Sequence, residues 1–427
     1  MKSIGFICIA MKKLLTTAIL LFSLLITAQG DQLEKESKFI LTPEFMVGQL
    51  ADPNEGFPDH GTPFQVLMNF GWDHSFNSQE WARRLKSPVT GLSLGFSDFG
   101  NRDSIGYSVT VMPFIEFNGF GMERFKIKVG MGASYFTEKY DAINNPNNQG
   151  ITTDLVWSFR TFFHYQVLSG PKVDWRLGLG YFHHSNGHTR LLNQGLNLFM
   201  LSLSADIKTL DKEYDGLEPA AIEYEKNKSD YFSVNAGYGI NVLSVAYNDK
   251  KPVYTLSAEY GKLWNKTFKV GLGFYYRFYQ HYYDYIDNNE FLVREGEEFD
   301  HFREDPWRYA TTFGIHASGE VLLNHIGIHV ELGVNLHKPA YQIDWRLNEG
   351  WDTVPREIPS WYQLGEFNSK YRMKKTLATR MGLRYYLINT SKSPKNNLFV
   401  GFHINSNGGQ ADFTDVRLGY VYNFNLK

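Results

Sequence analysis

The sequence predicts an all-β protein: a single antiparallel transmembrane β-barrel of about 14 strands, roughly 12 to 16 with ambiguous segments counted, with long extracellular loops. Three observations lead there. The first is an export signal: Lys12 and Lys13 precede an apolar run over 14–26, and Ala28 stands at a plausible cleavage position. Residues 1–28 are therefore expected to be a signal peptide and residues 29–427 the barrel. The second is that no later apolar run is long enough for a spanning helix, and mean hydropathy is only −0.34. The third is a repeated pattern of strand-length segments whose faces alternate, in a chain that is 16% aromatic with 26 Tyr and 33 Phe. Aromatics in that quantity suit girdles at two membrane–water interfaces.

Composition also excludes. A formal net charge of −2 gives no basic footprint for nucleic acid. The only cysteine, Cys8, lies in the segment expected to be removed. The mature chain is then without disulfides, thiol nucleophiles or cysteine-ligated metals.

Taken along the chain, "KFILTPEFMVG" and "PFQVLMNFGW" are weak strand candidates, and "SQEWARRLK" reads as a helical piece outside the membrane. "TGLSLGFSDF" is a further strand, followed by spanning-length segments from "IGYSVTVMPFIEFNG" to "DFTDVRLGYVYNF". "FYYRFYQHYYDY" reads as part of an interfacial aromatic girdle. Short connections such as "LSGPK" and Asn324–His325 alternate with long ones such as "DAINNPNNQG" and 337–374. Short periplasmic turns and long external loops are the pattern of a bacterial outer-membrane barrel. The charged stretch 208–230 breaks the alternation, because a short turn is due there.

The chemistry sits in "GLGYFHHSNGHTRLLNQGLNLFMLSL". Residues two apart on a strand share a face. Trp175, Leu177, Leu179, Tyr181, His183 and Ser185 form an apolar and aromatic face that should meet lipid. Arg176, Gly178, Gly180, Phe182 and His184 should meet the lumen. On the returning strand Asn197, Phe199, Leu201 and Leu203 form the lipid face. A serine, a histidine two residues before it and an asparagine across the hairpin can act as nucleophile, base and a group that orients the base. Asn186 and the backbone N–H groups of Gly187 and His188 follow the serine and could stabilise an oxyanion. A reactive site on the outside of a barrel makes sense for a substrate that is itself a membrane lipid.

His183-x-Ser185-Asn186-Gly187 resembles the active-site motif of two outer-membrane lipid hydrolase families. In the outer-membrane phospholipase A family an Asn follows the Ser at the spacing of Ser185 to Asn197. In the lipid A 3-O-deacylase or acyloxyacyl hydrolase family a downstream Asn with Gly close behind is matched by Asn193 and Gly195. That family commonly has Glu where Asn197 stands. The deacylase likeness extends to "GLSLGFSDFGN" and "GGQADFTDVRLGYVYNF". It implies a serine esterase that removes a fatty acyl chain from lipid A, with His183, Ser185 and Asn197 catalytic and Asn186, Gly187, His188 and Asn193 positioning the reaction. These residues require no metal. Calcium is the ion the phospholipase likeness would bring, but His188 stands where that family has an Arg of its calcium site. The expected partners are the outer membrane and a lipid substrate, lipid A before phospholipid. A porin or transporter barrel is the non-enzymatic alternative.

Overall fold

The computed structural model describes residues 37–208, 223–350 and 369–425. The expected signal peptide lies outside them, as does most of the stretch that broke the alternation. Among the described residues there are sixteen strands, in two closed antiparallel barrels of eight. The first barrel contains β1 (Lys38–Ala51), β2 (Phe64–Asp73), β3 (Val89–Asp98), β4 (Tyr107–Asn118), β5 (Phe125–Phe136), β6 (Leu155–Ser169), β7 (Val173–Ser185) and β8 (Leu196–Lys208). The second contains β9 (Lys228–Asn241), β10 (Lys251–Trp264), β11 (Phe268–Tyr279), β12 (Thr311–Leu323), β13 (Ile326–His337), β14 (Leu377–Tyr386), β15 (Asn396–Asn407) and β16 (Gln410–Phe424).

A single barrel of about 14 strands is therefore incorrect. The two weak candidates are real strands, β1 and β2, which brings 14 to 16. The larger error is in closure. β8 pairs with β7 on one side and with β1 on the other, from Ile40↔Lys208 to Ala51↔Asn197. It has no free edge left for β9, which pairs with β10 and β16 instead. The charged stretch after β8 is the link between two closed sheets. The chain accordingly divides into two compact units, one carrying β1–β8 and the other β9–β16, with the short segment 187–191 counted in the second.

Strand alternation sorts the side chains of each barrel. On β7, Trp175, Leu177 and Leu179 are exposed while Arg176, Phe182 and His184 are buried. The inward faces fill the bore. In the first barrel, Phe99, Met112, Phe136, Phe162, Phe182 and Leu198 belong to an apolar cluster level with the end of β7. Below it lies a polar layer centred on Glu44, whose side chain is fully buried. Glu44 Oε2 accepts from Arg160 at 3.1 Å and from Asn69 at 3.1 Å. Its Oε1 accepts from Ser202 at 2.8 Å and lies 3.0 Å from His164 Nε2. A second layer pairs Glu116 with Arg176 and Lys128, at 2.8 and 3.1 Å. A cavity of about 250 Å³, lined by Lys38, Asp73, Lys128 and Asp206 among others, lies at the short-turn end.

In the second barrel Lys269 and Arg384 converge on Glu320, at 3.0 and 2.9 Å, and Arg417 pairs with Asp415 at 2.6 Å. Opposite charges are packed together because a lone charge in a water-poor bore costs several kcal/mol. The aromatic run differs from expectation. β11 ends at Tyr279, and a helix, α1 (Gln280–Asp287), takes Tyr282 and Tyr285 into a buried cluster with Leu292, Val293 and Phe302. The piece "SQEWARRLK" does form a helix, Glu80–Arg84, in the β2–β3 connection.

Replacing Glu44 with Ala should strand Arg160 and His164 inside the bore and destabilise the first barrel by about 3–5 kcal/mol. Urea unfolding in detergent, followed by tryptophan fluorescence, measures it; an unchanged midpoint would contradict the role given to this carboxylate.

Candidate active site

The last turns of β7 and β8 carry the candidate residues. In the antiparallel register His183 faces Asn197, and on the other side of β7 His183 and Ser185 face Phe159 and Trp157 of β6. Directly opposed residues hold their Cβ atoms roughly 4.5–5.5 Å apart, so side chains on one face meet without help from a loop. His183 Nδ1 lies 2.7 Å from Asn197 Oδ1. Because an amide oxygen only accepts, Nδ1 carries the proton and Nε2 keeps its lone pair. That is the tautomer a general base toward Ser185 requires.

Asn193 reaches Ser185 from the loop between the strands. Its Nδ2 donates to Ser185 Oγ at 2.9 Å, while its Oδ1 accepts from the Asn186 backbone N–H at 3.0 Å. The second bond fixes which end of the amide faces the serine. The loop is held by the long β5–β6 connection: Gln194 and Gly195 donate their N–H groups to the carbonyls of Gln149 and Gly150, at 3.1 and 3.0 Å. Asn186 is turned into the same connection and donates from Nδ2 to Thr152 Oγ1 at 2.8 Å. Its side chain thus braces the loop, and the side-chain donor against the serine oxygen is that of Asn193. Gly187 and His188 follow with φ of 67° each, a left-handed pair that turns the chain after Asn186. His188 is buried.

His184, the neighbour of the candidate base, points into the lumen. It is fully buried, with Nδ1 2.8 Å from Ser158 Oγ and its ring stacked on Phe182 at 4.8 Å. "HINSNGGQ" forms the end of β15 and its hairpin turn, with His403 buried in the second lumen.

Thr152 and Tyr181 were not legible as parts of the site, and Gly195 was read only as part of the motif likeness. Thr152 lay at the start of a segment read as a spanning strand, "ITTDLVWSFRTFFHYQVL", but β6 begins only at Leu155 and Thr152 belongs to the connection before it. Tyr181, read only as part of the lipid face, donates its hydroxyl to Asn197 Oδ1. Gly195 has φ of +73°, and a Cβ on it would lie 2.9 Å from His183 Cε1 and 2.9 Å from the His184 carbonyl oxygen. The backbone passes the imidazole so closely that only glycine fits. The Gly in "NQG" carried that signal.

Among the described residues, the group of His and carboxylate ligands close enough for a metal is Glu259, His329 and Glu331, buried in the second lumen. Arg384 Nη2 lies 2.8 Å from His329 Nε2, and Arg380 contacts Glu331. Guanidinium charges therefore sit where a cation would, and the group belongs to the ion-pair filling of the bore.

Fold and geometry together define a class: an outer-membrane β-barrel protein whose first barrel carries a serine bonded to one amide and, two residues before it on the same strand, a histidine bonded to another. Residues 60–206 match the family model described as lipid A 3-O-deacylase (PagL). Residues 230–347 match the one described as acyloxyacyl hydrolase, C-terminal domain. The lipid A 3-O-deacylase and acyloxyacyl hydrolase resemblance read from the sequence is thus matched in both parts of the chain, by one family model on each. No curated protein matches the chain. Among solved structures, that of the outer membrane enzyme PagL is similar over 38% of this chain and 97% of its own, at 17% identity and a TM-score of 0.29. A COG4313 outer membrane channel from Pseudomonas putida F1 is similar over 91% of this chain and 96% of its own, at 10% identity and a TM-score of 0.18. A mutant Rh. blastica porin is similar over 91% and 100%, at 12% and 0.17.

Gly195→Ala should lower turnover at least about tenfold with little change in KM, because the added methyl displaces the imidazole rather than the lipid. Steady-state kinetics in mixed micelles decide it; wild-type turnover would show that the imidazole has room to spare.

Proposed function

We propose that the chain removes a fatty acyl chain from lipid A by a Ser-His-Asn mechanism on the outer surface of the first barrel. Ser185 Oγ attacks the ester carbonyl carbon as His183 Nε2 takes its proton. The tetrahedral oxyanion is held by the Asn193 amide, with Asn186 keeping that amide in place through its backbone N–H. His183 then protonates the departing sugar oxygen, the carbon–oxygen bond breaks, and the acyl chain remains on Ser185. Water, deprotonated by His183, attacks the acyl-enzyme and releases the fatty acid. Asn197 holds the imidazole in the tautomer needed at both stages. Gly187 and His188 shape the turn that follows the nucleophile.

The observation that carries this reading is the hydrogen-bonded arrangement itself: Asn193 Nδ2 on Ser185 Oγ at 2.9 Å, and His183 Nδ1 on Asn197 Oδ1 at 2.7 Å. The surroundings suit an acyl chain, since Phe199 and Leu201 are exposed on the same face and Phe159 and Trp157 flank the pair on β6. The turn before β7 is short and the loop after it long, which supports a site at the outer rim, on the side where lipid A lies. The family description points to a 3-O-linked chain. Phospholipid displaced into the outer leaflet is the lesser candidate. A pore function finds no support, because charged and apolar side chains fill the described bores.

With purified protein and lipid A in micelles, Ser185→Ala and His183→Ala should each lose about a thousandfold or more in turnover. Asn193→Ala should lose about 100- to 1,000-fold, as for an oxyanion donor. Asn197→Ala should lose less than the first two. Turnover within a few-fold of wild type in the serine or histidine variant would refute the assignment.

A further inference from the structure

We infer that Tyr181 is a positioning residue for this hydrolysis: its hydroxyl holds the Asn197 carboxamide with the oxygen, not the nitrogen, toward His183. The inference rests on the Ser185, His183 and Asn197 reading given above. Tyr181 and His183 are two apart on the outward face of β7, and Asn197 stands directly across from His183. The Tyr181 hydroxyl donates to Asn197 Oδ1 at 2.5 Å. His183 Nδ1 lies 2.7 Å from the same oxygen. The hydroxyl and Nδ1 are 3.4 Å apart, at the far limit of hydrogen-bond reach. The two rings are nearly parallel, 13° between planes with centroids 6.2 Å apart. Phe199, opposite Tyr181, packs against its ring at 5.4 Å and holds it there.

The need for such a device follows from the chemistry of an amide. A carboxylate offers the imidazole two equivalent acceptors. A carboxamide offers an acceptor on one side and a donor on the other, and the two orientations have almost the same shape. With Nδ2 turned inward, His183 Nδ1 would accept, the ring proton would move to Nε2, and the nitrogen facing the serine could no longer take a proton. Tyr181 separates the two states. Its O–H is a donor on a ring packed between His183 and Phe199, where leaving it without an acceptor costs free energy. With Oδ1 inward, the two lone pairs of one oxygen serve both Nδ1–H and the phenol O–H. With Nδ2 inward, the phenol oxygen could accept from it, but the phenol hydrogen would lose its acceptor.

The test compares the wild-type chain, Tyr181→Phe, Asn197→Glu and the double variant, with heat-modifiability on gels confirming that each barrel is folded. Tyr181→Phe should lower kcat about tenfold or more and leave KM within about twofold. In the Asn197→Glu chain the same change should cost less than about twofold, because either carboxylate oxygen can accept from Nδ1. The ¹⁵N spectrum of His183 gives an independent reading: native protein carries its proton on Nδ1, and Tyr181→Phe should populate the opposite tautomer. Equal losses in both chains, or an unchanged tautomer, overturns the inference. Deacylation that survives Ser185→Ala brings down the triad reading and this inference with it. A dead Ser185→Ala beside a fully active Tyr181→Phe overturns the inference alone.

Discussion

A single buried carboxylate organises the first barrel. Glu44, on β1, takes hydrogen bonds from Asn69 on β2, Arg160 on β6 and Ser202 on β8, with His164 of β6 beside it. A charge in that position is tolerable only with all its partners in place. The requirement therefore binds the first and last strands of the sheet to a common point. Closure of β8 onto β1 follows the same register, with Glu44 opposite Ser204 and Ala51 opposite Asn197. Once β8 is fixed on that side, its pairing with β7 sets Asn197 against His183. The polar filling of the bore thus determines geometry on the far side of the sheet, where the candidate residues lie.

That outward placement explains the economy of the site. On a lipid-facing surface an unsatisfied donor or acceptor costs about 1–3 kcal/mol or more. Polar groups are accordingly paired: Tyr181 and His183 share the Asn197 oxygen, Asn193 joins Ser185 to the Asn186 backbone, and Asn186 ends on Thr152. The loop that supplies Asn193 leans on the β5–β6 connection rather than on solvent. Gly195 completes the fit by letting that loop pass against the imidazole.

Much of this was written locally and could be read locally. Alternation along residues 173–185 and 196–208 gave the lipid and lumen faces, because side-chain direction depends only on parity. The motif around Ser185 and its spacing to Asn193 and Asn197 gave the candidate residues. Closure was not legible, since strand length and alternation are the same in one wide barrel and in two narrow ones. The signal was the charged stretch at 208–230, out of place in one barrel and natural between two. Partners brought in by pairing were also hidden. Thr152 is far in sequence from Asn186, and the Tyr181 contact depends on a diagonal reach across two strands. The tyrosines at 279–285 looked interfacial because their composition says nothing of the helix that buries some of them.

The central claim is that Ser185 on the outer face of the first barrel deacylates lipid A in the membrane. Mass spectrometry of lipid A from cells producing either the wild-type chain or Ser185→Ala tests it most directly. The account predicts a lipid A species short of one acyl chain, with the matching free fatty acid, in the first cells and fully acylated lipid A in the second. Identical lipid A in both, with lysophospholipid appearing only alongside intact Ser185, would contradict it.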